Sequence, residues 1–341
     1  ALRFLHIADI HLGYQQYGLS ARFDDFSRTF IDLVEQARER RVDFVLLAGD
    51  LFHKRTVKPL AMRVAVAGLE ALRDADIPVL AVEGNHEKAY YRDQYSWVEF
   101  LDAMGYVKLL NPAFDEGRAV LTPHSDEGGA YVDLPGGVRV YGLKYYGAST
   151  STALAQFVEA LERTDADGVR YTILMMHAGL EGQLAHLGRL RTSDLAPLRG
   201  LVDYVALGHI HKPYEVENWI YNPGSPESCS IQEQIMWPDR GAYWVELRPD
   251  EDPPHHAERW APERRPFFRF RIEVDGLTSP QAVYDRVRSI LDREASTVTG
   301  NPAPVVELMF TGTLPFNRYE LDLNLIQSMV EEAWEPLTAR L

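Results

Sequence analysis

Five short apolar runs, at residues 2–7, 44–48, 79–82, 171–176 and 203–207, read as buried strands, and each stops at a small cluster of Asp, Asn, His and Gly. The clusters are Asp9 with His11, Gly49 with Asp50, residues 84–87, His177, and residues 208–211. No other feature constrains the fold as much. In open α/β sheets, ligands bind in the crevice beyond the carboxyl ends of the strands, where residues distant in sequence converge. The glycines before Asp50, Asn85 and His209 fit sharp turns, because glycine adopts dihedrals that a Cβ penalises. Singly, each cluster has a plain reading: Gly-Asp and Gly-Asn are common turn formers, and a lone strand histidine is ordinarily hydrogen-bonded core. Their ordered succession at strand ends points instead to one shared site.

The donors in these clusters are carboxylate and amide oxygen and imidazole nitrogen, without thiolate. That mixture suits Mn, Fe or Zn more than Ca or soft metals, and it admits Mg. Of the other histidines, His6 lies inside the first strand, His124 and His186 in loop-like stretches, and His255 and His256 in a proline-rich charged segment; none is assigned to metal. Cys229 is the single cysteine, so no intrachain disulfide can form and no cysteine-based zinc site is expected, and its thiol reads as buried or incidental.

The runs His-Ile-Ala-Asp-Ile-His-Leu-Gly-Tyr at 6–14, Leu-Leu-Ala-Gly-Asp-Leu-Phe-His at 46–53 and Val-Glu-Gly-Asn-His-Glu at 82–87 resemble the calcineurin-like metallophosphoesterases. Within that superfamily they look like the DNA double-strand-break repair nuclease branch of SbcD type. Gly-His-Ile-His at 208–211 and Tyr-Asn-Pro-Gly-Ser-Pro-Glu at 221–227 extend the likeness, which runs from residue 2 to about residue 247 and is weaker beyond. Glu87 departs from the pattern, where the branch more often carries Asp. The resemblance implies a core of two packed β-sheets flanked by helices. It implies one divalent ion held by Asp9, His11, Asp50 and His211, and a second held by Asp50, Asn85, His177 and His209, with Asp50 bridging. Two cations about 3.5 to 4 Å apart clamp the attacking and leaving oxygens of an in-line displacement at phosphorus and lower the pKa of a bridging water. His86 would then protonate the leaving 3′ oxygen or stabilise charge on the phosphorane, with Glu87 orienting its ring. His53 is implied to lie near the substrate, a loop role being its plainer reading, and Tyr14, Lys54 and Arg55 are candidate substrate contacts.

By the same resemblance the function is a DNA nuclease, a 3′ to 5′ exonuclease on duplex ends and a single-strand endonuclease, with Mn as the favoured cofactor. A homodimer is implied, as is a partner, an SbcC-type coiled-coil ABC ATPase whose binding region is expected beyond residue 341. Two other classes remain open. A phosphatase or nucleotide phosphodiesterase would use the same metal core, since function resides in the site and not in the fold. A non-catalytic scaffold tethering DNA ends would need neither the full ligand set nor His86.

The net charge of −15 runs against phosphate binding only superficially. Two divalent ions would offset about four negative charges at the site. Basic residues are also clustered, at Lys54, Arg55 and Lys58, and again at Arg259, Arg264, Arg265, Arg269 and Arg271; the second group suits either a DNA path or solvated arginines around a linker. With 46% hydrophobic and 25% charged residues among 341, the profile is globular. No apolar run approaches the roughly 20 residues that span a bilayer, and metal ligands by residue 9 leave no room for a signal peptide, so a cytoplasmic, nucleoid-associated location is expected.

The domains are expected at 1–250 for the nuclease unit, 251–265 for a linker and 266–341 for a small α/β domain that resembles the capping domain of these repair nucleases, which would guide DNA. The stretch 248–256, with three prolines among charges, suits neither helix nor strand. Residues 267–274 alternate as a half-buried strand, Val283, Val287, Ile290 and Leu291 mark an amphipathic helix opened at Ser279-Pro280, and residues 305–310 form a further strand. Between the clusters, Ala61, Val64, Ala65, Gly68, Leu69 and Leu72 predict one helix, and Tyr95, Val98, Phe100, Leu101 and Met104 another.

Overall fold

The computed structural model describes residues 2–90, 92, 94–184 and 188–341, so His186 lies outside the described residues. The chain divides into two compact units, Ala1–Cys229 with Trp237–Pro262, and Ser230–Met236 with Glu263–Leu341.

The first unit opens with β1 (Arg3–Ile7), α1 (Ser20–Glu39), β2 (Phe44–Leu47), α2 (Pro59–Asp74), β3 (Val79–Ala81), α3 (Trp97–Ala103) and β4 (Lys108–Leu109), its four strands parallel. The hairpin of β5 (Ala113–Asp115) and β6 (Arg118–Val120) precedes β7 (Tyr131–Leu134), β8 (Val138–Leu143), α4 (Thr150–Leu161) and β9 (Tyr171–His177). After β10 (Gly179–Leu180), β11 (Gly188–Leu190) and α5 (Thr192–Leu195) come β12 (Tyr204–Gly208), β13 (Tyr214–Val216) and β14 (Ile220–Asn222), and the unit ends with β15 (Ala242–Leu247) and β16 (His255–Trp260). Two six-stranded sheets result, ordered β16-β15-β1-β2-β3-β4 and β13-β14-β12-β9-β8-β7.

Strand alternation decides how the sheets stack. Phe4, Phe44, Leu46 and Leu80 of the first sheet pack with Val138, Val140, Ile173, Met175 and Ala206 of the second. The alternate residues Leu5, Ile7, Val45 and Leu47 face α1 and α2, meeting Phe30, Leu33, Ala65 and Leu69. The second sheet likewise turns Leu174, Met176, Val205 and Leu207 towards Leu154 and Phe157 of α4. Both sheets are covered on both faces, which is why their parallel strands read as continuous apolar runs.

The α2 face forms as expected, with Ala61, Ala65, Gly68, Leu69 and Leu72 buried. Helix α3 is shorter than its predicted face. A Ser96–Glu99 capping box starts it, Val98 and Leu101 are buried, and Tyr95, Phe100 and Met104 are exposed. The expected linker is overturned in part: residues 255–260 are an edge strand, antiparallel to β15 from Leu247↔His255 to Ala242↔Trp260. The prolines are confined to the turn before it, where Arg248 N–H donates to Pro254 O at 2.9 Å, and they leave the pairing residues free to donate.

In the second unit, α6 (Ile231–Met236) joins β17 (Phe267–Glu273), α7 (Pro280–Glu294), β18 (Val305–Thr311), α8 (Leu323–Trp334) and β19 (Thr338–Arg340). The strands are parallel in the order β17-β18-β19. Ser279 caps α7, whose Val283, Val287, Ile290 and Leu291 are all buried. Ile326 and Val330 of α8 close the same core, an element the sequence reading did not foresee. The clustered arginines are largely structural ties: Arg259 pairs with Asp239 at 2.7 Å, Arg264 reaches Gln234, buried Arg265 donates to Ala303 O, and Arg269 pairs with Glu307.

Candidate metal centre

The carboxyl ends of β1, β2, β3, β9 and β12 carry the five polar clusters, and backbone hydrogen bonds lace their loops together. Asp9 N–H donates to Gly49 O at 3.0 Å, His11 N–H to Asp50 O at 3.1 Å, Leu12 N–H to Leu51 O at 2.8 Å and His53 N–H to Leu12 O at 3.0 Å. Asp9, His11, Asp50 and His209 all take positive φ, of 54°, 53°, 55° and 91°. Such dihedrals cost energy in residues with a Cβ, so the surrounding packing must hold them. Of the three glycines expected to supply dihedral freedom, only Gly49 has positive φ, at 88°. Gly84 and Gly208 are needed for room: a Cβ would collide with the Asp50 carboxylate in the first case and with the Ala48 carbonyl in the second.

All seven expected ligand residues meet here. The ligating atoms of Asp9, His11 and Asp50 lie within 4.8 Å of one another. His11 Nε2 faces His211 Nε2 at 3.0 Å. Asn85 Oδ1 is 3.0 Å from both His177 Nε2 and His209 Nδ1, and His177 Nε2 is 3.3 Å from Asp50 Oδ2. Asp9, His11, Asp50 and His177 are buried, with exposures of 0, 1, 2 and 0%. A buried ring nitrogen facing another, together with a buried His11 Nδ1 that finds no hydrogen-bond partner, suits cations at this place better than a self-satisfied polar core.

The surroundings orient these groups. His177 Nδ1–H donates to Ala48 O at 2.7 Å, which leaves Nε2 as the nitrogen that could ligate a metal. Asp9 Oδ2 accepts His209 N–H at 2.9 Å, and Asp50 Oδ1 accepts His86 N–H at 3.0 Å. Burial pushes the Asp9 carboxyl up to about 6, against the opposing charges of His177 and His211. At Asp50, burial is outweighed by the charge and hydrogen bond of His177, and the carboxyl is held well below the usual range. Burial drives His11 far below an ordinary imidazole and His209 to about 3, so both are neutral donors at pH 7.

His86 Nδ1–H donates to His53 O at 2.6 Å. Glu87 therefore does not orient this ring, contrary to expectation. It is buried and accepts the N–H groups of Asp50, Phe52 and Gly84 at 3.0–3.1 Å, binding the second and third loops together. The His53 ring stacks on Tyr14, with centroids 3.9 Å apart, and burial lowers it to about 4. Tyr14, His53, Lys54 and Lys58 line a cavity of about 300 Å³, while Arg55 is exposed and lies over the Tyr90 ring.

Two contributors escaped the sequence reading. Asn222 Nδ2–H donates to the Ile210 and Lys212 carbonyls at 2.6 and 2.8 Å and so shapes the loop of His209 and His211. Its signal was the Asn-Pro-Gly turn. Cys229, taken as incidental, lies beside His11 and His211. Nothing in its sequence neighbourhood announced this.

Oxygen and imidazole donors gathered beyond the strand ends of a four-layered α/β sandwich define a metal-dependent hydrolase. The chain belongs to the calcineurin-like phosphoesterase family, whose family model matches residues 2–213, and it is accordingly a metal-dependent phosphoesterase. It is similar to three archaeal proteins named DNA double-strand break repair protein Mre11. It is 27% identical to that of Aeropyrum pernix over 93% of this chain and 75% of the relative. With that of Methanopyrus kandleri the identity is 29%, over 87% of this chain and 59% of the relative. With that of Haloferax volcanii it is 33%, over 84% and 58%. The chain thus spans little more than half the length of two of these relatives. Among the described residues no helix is long and apolar enough to cross a membrane.

Proposed function

We propose that the chain is a metal-dependent DNA nuclease of double-strand-break repair, hydrolysing phosphodiester bonds with two divalent ions per chain. Asp9, His11, Asp50 and His211 would hold the first ion, and Asp50, Asn85, His177 and His209 the second. Mn is the first choice for this donor set, with Fe, Zn and Mg also compatible. The observation that carries the reading is the convergence of His177 Nε2 and His209 Nδ1 on Asn85 Oδ1 beside the facing Nε2 atoms of His11 and His211, with Asp50 adjoining both groups. Divalent ions there supply charge to a phosphoryl oxygen and acidity to water. DNA as substrate rests on the likeness to the three repair proteins.

His86 is the candidate proton donor. The His53 carbonyl accepts its Nδ1–H and so fixes the ring, leaving Nε2 as the atom that would pass a proton to a leaving oxygen. His53 and Tyr14 form a stacked wall, and Lys54, with exposed Arg55, offers charge to the backbone of the strand. Duplex exonuclease and single-strand endonuclease activity, a homodimer using the exposed Tyr95, Trp97, Phe100 and Met104, an SbcC-type ATPase partner and a DNA-guiding role for the second unit complete the reading. A nucleotide phosphodiesterase is the second reading, favoured by the 300 Å³ cavity beside His53, which suits one nucleoside.

The test is cleavage of end-labelled duplex and single-stranded DNA with Mn, Mg or EDTA, beside nucleotide and aryl-phosphate substrates. Mn-dependent DNA cleavage is expected. His86→Ala should keep both metals and lose about 10²- to 10⁴-fold in rate. Hydrolysis of small phosphoesters alone would leave the family intact and overturn the nuclease.

A further inference from the structure

Cys229 departs from the oxygen-and-imidazole donor set. A ligating atom of His11, one of His211 and the Cys229 sulfur lie within 4.8 Å of one another. Two ligands of one zinc ion stand at most about 4.4 Å apart, the sum of typical Zn–S and Zn–N bonds, so a small side-chain rotation brings all three to one ion. His11 supplies a separate pointer: its ring is buried, Nδ1 has no hydrogen-bond partner among the described residues, and Nε2 meets only another imidazole nitrogen.

The backbone carrying the thiol is held on both sides. Arg22, fully buried, donates to Ser228 O and Glu227 Oε1 at 3.1 Å and to Asp25 Oδ2 at 2.5 Å. Its Nε–H donates to Gln16 Oε1 at 2.8 Å, and Gln16 Nε2–H donates in turn to Cys229 O at 2.9 Å. Arg240, also fully buried, donates to the Ser225 hydroxyl at 2.8 Å and to the Ser228 hydroxyl. Buried charges are costly unless satisfied, and here two arginines are satisfied by fixing residues 225–229. The sulfur is consequently presented to His11 and His211 by a preorganised segment.

We propose that Cys229 supplies a thiolate ligand to the ion held by Asp9, His11, Asp50 and His211, making that position selective for thiophilic divalent ions such as Zn(II), Co(II) and Fe(II) over Mg(II). This rests on the two-metal reading above. Binding replaces the S–H bond by a sulfur–metal bond and releases the thiol proton to solvent.

Loading the full chain with Co(II) tests it, with the metal count from elemental analysis and thiolate-to-cobalt charge transfer read in the near ultraviolet. The chain has one cysteine, so such a band has one source. The wild type should show it, and Cys229→Ser should bind cobalt and lose the band entirely. Zinc should also pass to a competing chelator about 10-fold more readily in the variant. Cobalt bound without a thiolate band in the wild type overturns the role of Cys229 and leaves the two-metal reading standing. A wild type that binds no cobalt overturns both.

Discussion

Buried histidines occur in two places in the first unit, and they are satisfied in opposite ways. In the layer between the sheets, His6 sits between the Tyr204 hydroxyl and Leu207 O, each at 2.9 Å, and His255 between the Tyr171 and Tyr221 hydroxyls at 2.8 and 3.0 Å. Every ring nitrogen there has a protein partner. At the strand ends, imidazoles face one another or a shared amide oxygen, and the buried Nδ1 atoms of His11 and His53 have no hydrogen-bond partner among the described residues. The contrast is the one expected between a structural histidine and a proposed ligand: the first is saturated by fixed protein groups, and the second converges with other acceptors on a place that a cation would satisfy.

Asp50→Ala offers the most forceful attempt to break this contrast. Both proposed ions use Asp50, so elemental analysis should find metal lost and cleavage abolished; two ions retained per chain would show that the strand-end cluster is not held together as proposed. Next in size, Glu87→Ala should destabilise the fold by at least about 3 kcal/mol, because three buried N–H groups lose their acceptor at about 1–3 kcal/mol each. Urea unfolding measures this, and a loss below about 1 kcal/mol would mean that the loops hold their shape without the carboxylate.

A third measurement sharpens the inter-sheet side. Burial lowers His6 to about 3 and His255 to about 4, whereas in the unfolded chain both titrate near 6.5. Between those values the unfolded chain binds more protons. Neither group alters stability above about pH 6.5, and stability falls as the pH drops from there, by up to about 1.4 kcal/mol per pH unit for each group. Urea midpoints from pH 7 to 4.5 should show this slope, and His6→Asn should reduce it. An unchanged slope would remove His6 from the acid response.

Much of the first unit was legible in its sequence. Apolar runs of strand length ending in Asp, Asn and His marked β1, β2, β3, β9 and β12, and helical spacing marked α2 and α7, since burial of one face imposes a period that survives in the residue order. Helix α8 was not foreseen, and residues 255–260 were expected in a linker. There the two prolines beside His255 obscured a strand whose His255 is buried and whose His256 and Glu258 are exposed. At the site, the convergence of the clustered Asp, Asn and His residues was legible because their types and spacing carry chemistry. Their supports were less so: Glu87 was expected to serve His86 and instead accepts from three backbone amides.

The sequence by itself determined the α/β class, the strand ends that carry the polar clusters and the family, because these depend on local pattern and residue chemistry. Only the tertiary structure decided that Gly84 and Gly208 are needed for room, that His6 and His255 are saturated, and that Cys229 stands beside His11 and His211. Those facts depend on the approach of segments up to about two hundred residues apart in the chain, set by sheet packing and loop hydrogen bonds and by no local pattern.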